Sequence, residues 1–181
     1  MTALLSFEQV SLRRGGRPLF ERLDLALAAG GGLHLTGPNG AGKSSLIRLA
    51  AGLLRAERGK VMAGPLALAD EHVALDRELP LGKALAFWGA DAGMEAMGLG
   101  KLAGVPVRLL STGQRKRATL ARVAASGAPL WLLDEPLNGL DEDGIARLDA
   151  LVAAHRKAGG AVLAASHRPL GGRWTEVRLG E

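Results

Sequence analysis

Three groups of residues in this chain have the types and spacing for phosphate chemistry. The first is "GPNGAGKSS", Gly37 to Ser45, which fits G-x-x-x-x-G-K-[ST]. Gly37, Gly40 and Gly42 let the backbone curl so that successive amides point inward, with Pro38, Asn39 and Ala41 completing the loop. A helix opening near Lys43 adds the positive end of its dipole, worth about half an elementary charge. Lys43 is expected to reach the β- and γ-phosphates of a nucleoside triphosphate, Ser44 to ligate Mg2+, and Ser45 to bond the α-phosphate. A plain glycine-rich turn before a helix would have no need of Lys-Ser. The second group is the acid pair closing "LWLLDE". Asp134 and Glu135 follow four apolar residues, so they are expected at the carboxyl end of a buried strand, where open parallel sheets bind ligands. Asp134 is the candidate for Mg2+, directly or through water, opposite Ser44. Glu135 is the candidate for polarising an attacking water, a role worth roughly 10²–10⁴ in rate. The third group is a second anion-facing helix start, "LLSTGQRKRATLARVAAS", headed by Ser111, Thr112, Gly113 and Gln114.

The elements that must hold these groups follow from hydrophobic patterning. "LLSFEQVSL" and "LDLALA" alternate as half-buried strands do, with Gly15, Gly16 and Pro18 marking the turn between them. Gly30–Gly32 break the chain, and "LHLT" then runs into the first loop. "SLIRLAAGLL" reads as a helix, and Gly59 begins another short strand. From about Leu75 to Val107 the pattern is less regular, with helical pieces. Next come a helix from Gly113, the strand "LWLLDE", a helix around Ile145 to Arg156 and the strand "AVLAAS". A last strand is expected over Trp174 to Leu179. Strands alternating with helices predict an α/β fold with a mostly parallel sheet.

Composition bounds the rest. At 181 residues the chain, 1–181, reads as one domain. It has no cysteine, which excludes a disulfide framework and any thiolate metal site. The opening "MTALLSFEQVSLRRGG" meets Glu8 too early for a secretory signal, and no run approaches the roughly 18 apolar residues of a membrane span. The chain therefore reads as soluble and cytoplasmic. A net charge of +5 suits nucleic acid or an anionic membrane surface, but the basic residues are scattered and lack interleaved aromatics. No nucleic-acid partner is expected.

"LSTGQ" before a basic helix, then "LWLLDEP", "LNGLD" and "ASH", all downstream of the glycine loop, resembles the ATP-binding cassette (ABC) ATPases. The resemblance covers essentially the whole chain, with the motifs in the family's order. It implies a P-loop NTPase fold of the ABC nucleotide-binding type, with an antiparallel β edge and a small helical subdomain over roughly 75–125. It also implies ATP and Mg2+ as ligands, and two copies packed head to tail. Each ATP then lies between the phosphate loop of one copy and the signature helix of the other. On that arrangement the helix at Lys43 works in cis, while Ser111, Thr112, Gly113 and Gln114 work in trans. Asp141, in "LNGLD", matches the family's dimer-interface aspartate. His167, in "AASHRP", matches its switch histidine, catalytic with Glu135; alone it would read as a histidine capping a strand end.

Two departures stand out. The stretch "LALADEHVALDREL" contains no glutamine where the family couples Mg2+ to its membrane partner. His72 falls at that position, with Asp70 and Glu71 beside it, and the role either survives through its ring nitrogens or is lost. The usual adenine-stacking aromatic is also missing from "SLRRGGRPL", leaving Arg13 or Arg14 to lie over the base. Among cassette ATPases, "STGQRKR", Trp131 beside the acid pair and "SHRPL" are most similar to the ATP-binding subunits of the bacterial cytochrome c maturation heme exporter. That resemblance implies an integral membrane permease subunit, the heme exporter's membrane subunit, as partner. It also implies a peripheral seat on the cytoplasmic face of the inner membrane, and coupling of ATP hydrolysis to heme delivery or heme-chaperone release. His34, His72, His155 and His167 form no recognisable heme-ligand motif. The alternatives are the ATPase of another exporter, for lipid, drug or metal, and a non-transport cassette ATPase. The latter usually carries a second cassette or a long coiled-coil insertion, and this chain has neither. Phe87 and Trp88 read either as a contact for the membrane partner or as ordinary core.

Overall fold

The computed structural model describes residues 3–72, 74–89 and 91–180. Strands β1 (Ala3–Arg14) and β2 (Arg17–Ala28) form an antiparallel hairpin turned at Gly15-Gly16, and β4 (Arg58–Ala63) pairs antiparallel with the other edge of β1. The core face of β1 changes parity along its length: Leu5 and Phe7 are buried, then Val10 and Leu12. A one-residue shift would turn the second pair to solvent, and a bulge absorbs it. Gln9 sits in the bulge with φ 50°, its amide bonded to Asp24 Oδ1 at 2.7 Å.

A second sheet carries the site. Its order is β5 (Leu66–Ala69), β6 (Leu130–Asp134), β7 (Ala161–Ala165), β3 (Gly32–Thr36) and β8 (Thr175–Arg178), and every pairing is parallel. Both faces are covered, which explains the unbroken apolar runs "LWLL" and "AVLAA". Alternate residues of β6 and β7 enter two different cores. Leu130, Leu132 and Leu163 pack with helix α1 (Lys43–Ala50) and the antiparallel sheet. Trp131, Leu133 and Val162 pack with the helices on the opposite face. Those are α2 (Leu81–Ala86), α3 (Asp91–Ala96), α4 (Thr112–Ala125) and α5 (Glu142–Lys157). The parallel sheet, the antiparallel edge and the group of helices fit a P-loop NTPase of ABC type.

Two details differ from the sequence expectations. Strand β5, "LALA", is absent from them, because four residues without β-branching carry little strand signal; pairing with β6 makes the strand. Phe87 and Trp88 are not ordinary core: Phe87 is 81 % exposed and Trp88 38 % exposed, the two rings meeting edge to face. No helix among the described residues is long and apolar enough to cross a membrane.

Candidate functional site

Strand β3 ends at Thr36, and Gly37 opens the phosphate-type loop directly beyond it. Gly42 is the N-cap of α1 at φ 103°, a conformation that L side chains rarely adopt. It offers no capping side chain, and the first turn of α1 holds no acid, so the amides there are left for an external anion. Lys43 is buried, and its Nζ donates to the Gly37 and Pro38 carbonyls at 2.8 and 3.2 Å. The ammonium thus lies folded over its own loop, where phosphate oxygens would compete for it. Asn39, Gly40, Ser44 and buried Ser45 line the same cleft, of about 600 Å³.

The acids close that cleft. Glu135 follows β6 with φ 45°, in the left-handed region that costs a non-glycine residue about 1 kcal/mol or more. Its amide donates to the Ala165 carbonyl at 2.8 Å, and that bond helps hold the turn. His167 follows β7 and brings Nε2 to 3.5 Å from Glu135 Oε1. Asn138 lines the cleft beside them. The hydroxyl of Ser44 donates to Asp134 Oδ1 at 3.1 Å. Burial pushes the Asp134 carboxyl above the ordinary carboxylate range, with the Ser44 hydroxyl and Lys116 opposing the shift.

This donor set fits Mg2+. Among the described residues no group of three or more His, Cys, Asp or Glu could hold a metal. One hydroxyl and one carboxylate suffice for Mg2+, which keeps several waters and takes phosphate oxygens as its other ligands. A dication beside Asp134 would also relieve the penalty of its burial.

Sequence reasoning missed Lys116. Its Nζ donates to the Asp134 carbonyl at 3.2 Å, and burial lowers its pKa against the opposing pull of Asp134, Asp70 and Glu135. It lines a neighbouring cleft with Ser44, Asp134, Asp70, Glu71 and Thr112. The only sequence signal was its spacing, five residues after Ser111. His72 does not line either cleft; its amide and Nδ1 lie 2.9 and 3.3 Å from the Asp70 carboxylate, which does. Arg14, Arg17 and Leu19 also line the phosphate cleft, with Leu19 against Gly42, whereas Arg13 turns to the Gly16 carbonyl.

The second helix start is built differently. Ser111 Oγ accepts from the Gln114 amide at 3.2 Å, and Gln114 Oε1 accepts from the Ser111 amide at 2.8 Å, closing a capping box. A Cβ on Gly113 would meet the Gly139 carbonyl at 2.5 Å, so only glycine permits that approach. Asp141 caps α5, accepting from the Gly144 amide at 2.9 Å, and pairs with Arg117 of α4. The Gly144 amide, then Arg117, hold its carboxyl below the ordinary range. Ser111, Gly113, Gln114, Arg117, Gly139 and Asp141 share a cleft that has no lining residue in common with the phosphate cleft. Thr112, by contrast, lines the neighbouring cleft with Ser44, Asp134 and Glu135.

The pattern of the ABC transporter family matches residues 20–138, more than half of the chain. This chain belongs to the ABC transporter family. It is an ATP-binding member of the ATP-hydrolysing kind, and relatives that match most of the chain are named as ATP-binding proteins. The cytochrome c biogenesis ATP-binding export protein CcmA of Sphingopyxis alaskensis is 57 % identical over 177 residues, covering 92 % of this chain and 91 % of the relative. The protein of the same name from Novosphingobium aromaticivorans is 57 % identical over 166 residues, covering 89 % and 87 %. Among solved structures, an ATP-binding subunit of an ABC transporter superposes with a TM-score of 0.83 at 22 % identity, covering 91 % of this chain and 79 % of that one. CbiO1 of Clostridium perfringens, part of the ABC transporter complex CbiONQ, gives 0.77 at 21 %, covering 93 % and 80 %. At such identities the two structures speak for the ABC fold alone.

Proposed function

We propose that this ABC ATPase is the energy-supplying subunit of an exporter in cytochrome c biogenesis. It acts as an ATP-closed homodimer against an integral membrane permease subunit, and heme delivery or heme-chaperone release is the work driven. Its seat is then peripheral, on the cytoplasmic face of the bacterial inner membrane. The observation that carries the assignment is the 57 % identity with CcmA of Sphingopyxis alaskensis over about nine-tenths of both chains. The dimer is supported by the cleft that Ser111, Gly113, Gln114 and Asp141 line apart from the phosphate loop.

In this reading the amides of Gly37 to Ser45 and the Lys43 ammonium bind the triphosphate in cis. Ser44 and Asp134 hold Mg2+, which neutralises phosphate charge when bound. Ser111, Gly113 and Gln114 of the second copy approach the γ-phosphate, with Thr112 behind them. Ser111 Oγ keeps accepting from the Gln114 amide while its own hydroxyl hydrogen turns to the partner's nucleotide. Glu135 orients the attacking water and accepts its proton, while His167 steadies the γ-phosphate. Asp141 lies at the interface between copies. His72, tied to Asp70, occupies the place of the missing glutamine and links the metal cleft to the membrane subunit.

The test is genetic and chemical. A bacterium whose own subunit is deleted should regain covalently heme-stained c-type cytochromes when given this chain, and fail with Lys43→Ala. Full recovery with Lys43→Ala would remove ATP from the account. No recovery with the intact chain, expressed with its own membrane subunit, would remove cytochrome c biogenesis.

A further inference from the structure

We propose that His34 is a positioning residue for His167, a buried strut between the phosphate-loop strand and the turn that presents the histidine. The proposal rests on the reading of His167 as a group that acts on the γ-phosphate. His34 lies in β3, three residues before Gly37, and is 7 % exposed between Leu33 and Leu35. Its Nε2 stands 3.1 Å from the Ser166 carbonyl oxygen and 2.9 Å from Ser166 Oγ. A carbonyl oxygen only accepts, so Nε2 carries the hydrogen and donates. Ser166, buried itself, gives its own hydroxyl hydrogen to the Arg168 carbonyl. The path from imidazole to hydroxyl to carbonyl therefore grips the backbone on both sides of His167.

That grip falls where the sheet stops supplying one. The β3–β7 register runs from Gly32 opposite Val162 to Leu35 opposite Ala165, one residue short of Ser166. His34 is registered with Ala164, and its side chain reaches along the strand to the turn beyond. Trp174 lies edge-on to the imidazole at 6.3 Å, with Arg156 over the indole. An aliphatic residue would fill this position without the desolvation cost of an imidazole. The polar side chain makes its hydrogen bonds to the residue preceding His167. Any shift of β3 as the phosphate loop closes on a nucleotide is thereby passed to the turn that aims His167 at Glu135.

The test uses the full chain and a double-mutant cycle. His34→Leu removes the donor at similar bulk and is expected to lower kcat about tenfold, the scale of a small misplacement of a reacting group. Nucleotide Kd, measured separately, should stay within about twofold. His34→Gln, which restores an N–H donor, should recover most of the rate. In a His167→Ala background, His34→Leu should change kcat by less than about twofold, because the strut then has nothing to aim. An unchanged kcat in the first variant, or an equal loss in both backgrounds, overturns the proposal. If His167→Ala alone leaves turnover intact, the reading of His167 fails first and the strut with it. Should His34→Leu not fold, Ser166→Ala interrupts the same path and is expected to lower kcat in the same direction, again only while His167 is present.

Discussion

His167 Nε2 lies 3.5 Å from Glu135 Oε1, although the two residues are 32 positions apart in sequence and belong to different turns. Both turns leave the carboxyl ends of the adjacent parallel strands β6 and β7. The parallel pairing brings the two side chains to one edge, over one cleft. Glu135→Gln keeps the shape and removes the base. Nucleotide binding is expected to persist while kcat falls by about 10²-fold or more, and the protein should run as a dimer in the presence of ATP. Steady-state turnover and light scattering check both halves, and turnover near the unsubstituted rate would dismiss Glu135 as the base.

The cleft that Ser111, Gly113 and Gln114 line apart from the phosphate loop makes a prediction about mixtures. Lys43→Ala and Ser111→Arg should each be inactive alone. Mixed together they form some dimers with one intact composite site, built from the Ser111→Arg subunit's phosphate loop and the Lys43→Ala subunit's signature helix. ATPase activity should therefore reappear on mixing. No recovery in any proportion would mean that both cradles serve one chain.

Burial raises the Asp134 pKa above its unfolded value, so the folded state holds the carboxyl proton to higher pH than the unfolded state does. Stability of the metal-free protein should then fall as pH rises from the ordinary aspartate range, about 3.9, through the raised value, and stay lower above it. Asp134→Asn should remove that component and raise Tm at neutral pH in EDTA. It should also remove the added stability that Mg2+ with nucleotide confers. Thermal melts over a pH series, with and without Mg2+, check both directions.

Arg117 joins Asp141 at the start of α5 and Asp143 two positions on, the latter at 3.0 Å. Asp141 titrates below its ordinary range, so its contribution to stability is present above the unfolded pKa and lost as pH falls through the folded one. Arg117→Ala should lower Tm and weaken ATP-driven dimerisation. Arg117→Lys should restore little, because one ammonium does not reproduce the guanidinium fork across two carboxylates. Analytical ultracentrifugation with the hydrolysis-blocked variant reads the dimer directly.

Arg14, Arg17 and Leu19, two donor-only groups and one apolar one, line the phosphate cleft and are the candidates for meeting a base. A guanidinium stacks on any base face, and its edge suits the O6 and N7 acceptors of guanine. None of these three side chains accepts from the adenine amino group. GTP is therefore expected to compete with ATP at comparable affinity, and Arg14→Tyr to favour ATP less than it strengthens both. A Kd for GTP a hundredfold weaker than for ATP would show that another group reads the base.

The phosphate loop, the acid pair and the start of the second helix were legible in the sequence because each is local chemistry. A glycine turn, a strand ending in carboxylates and a run of small polar residues before a basic helix each lie within a few residues, whereas the capping box that closes the last came only with the structure. Lys116 and Arg117 were not legible, since "RKR" reads as a solvated basic run until α4 packs across β6 and α5. The parity change in β1 was equally hidden, because the Gln9 bulge depends on Asp24, fifteen residues away. The exposure of Phe87 could not be read either, since an aromatic in an irregular stretch is usually core.

The sequence by itself determined which residues can grip a triphosphate and in what order they occur, because those signals depend on spacing along the chain. Only the tertiary structure decided which of them meet. Parallel pairing of β3, β6 and β7 set Ser44 against Asp134, Glu135 against His167 and His34 against Ser166, while Ser111, Gly113 and Gln114 line a cleft apart from the phosphate loop. Contacts across such distances arise from sheet order and register, which are properties of the whole fold and are written in no single segment.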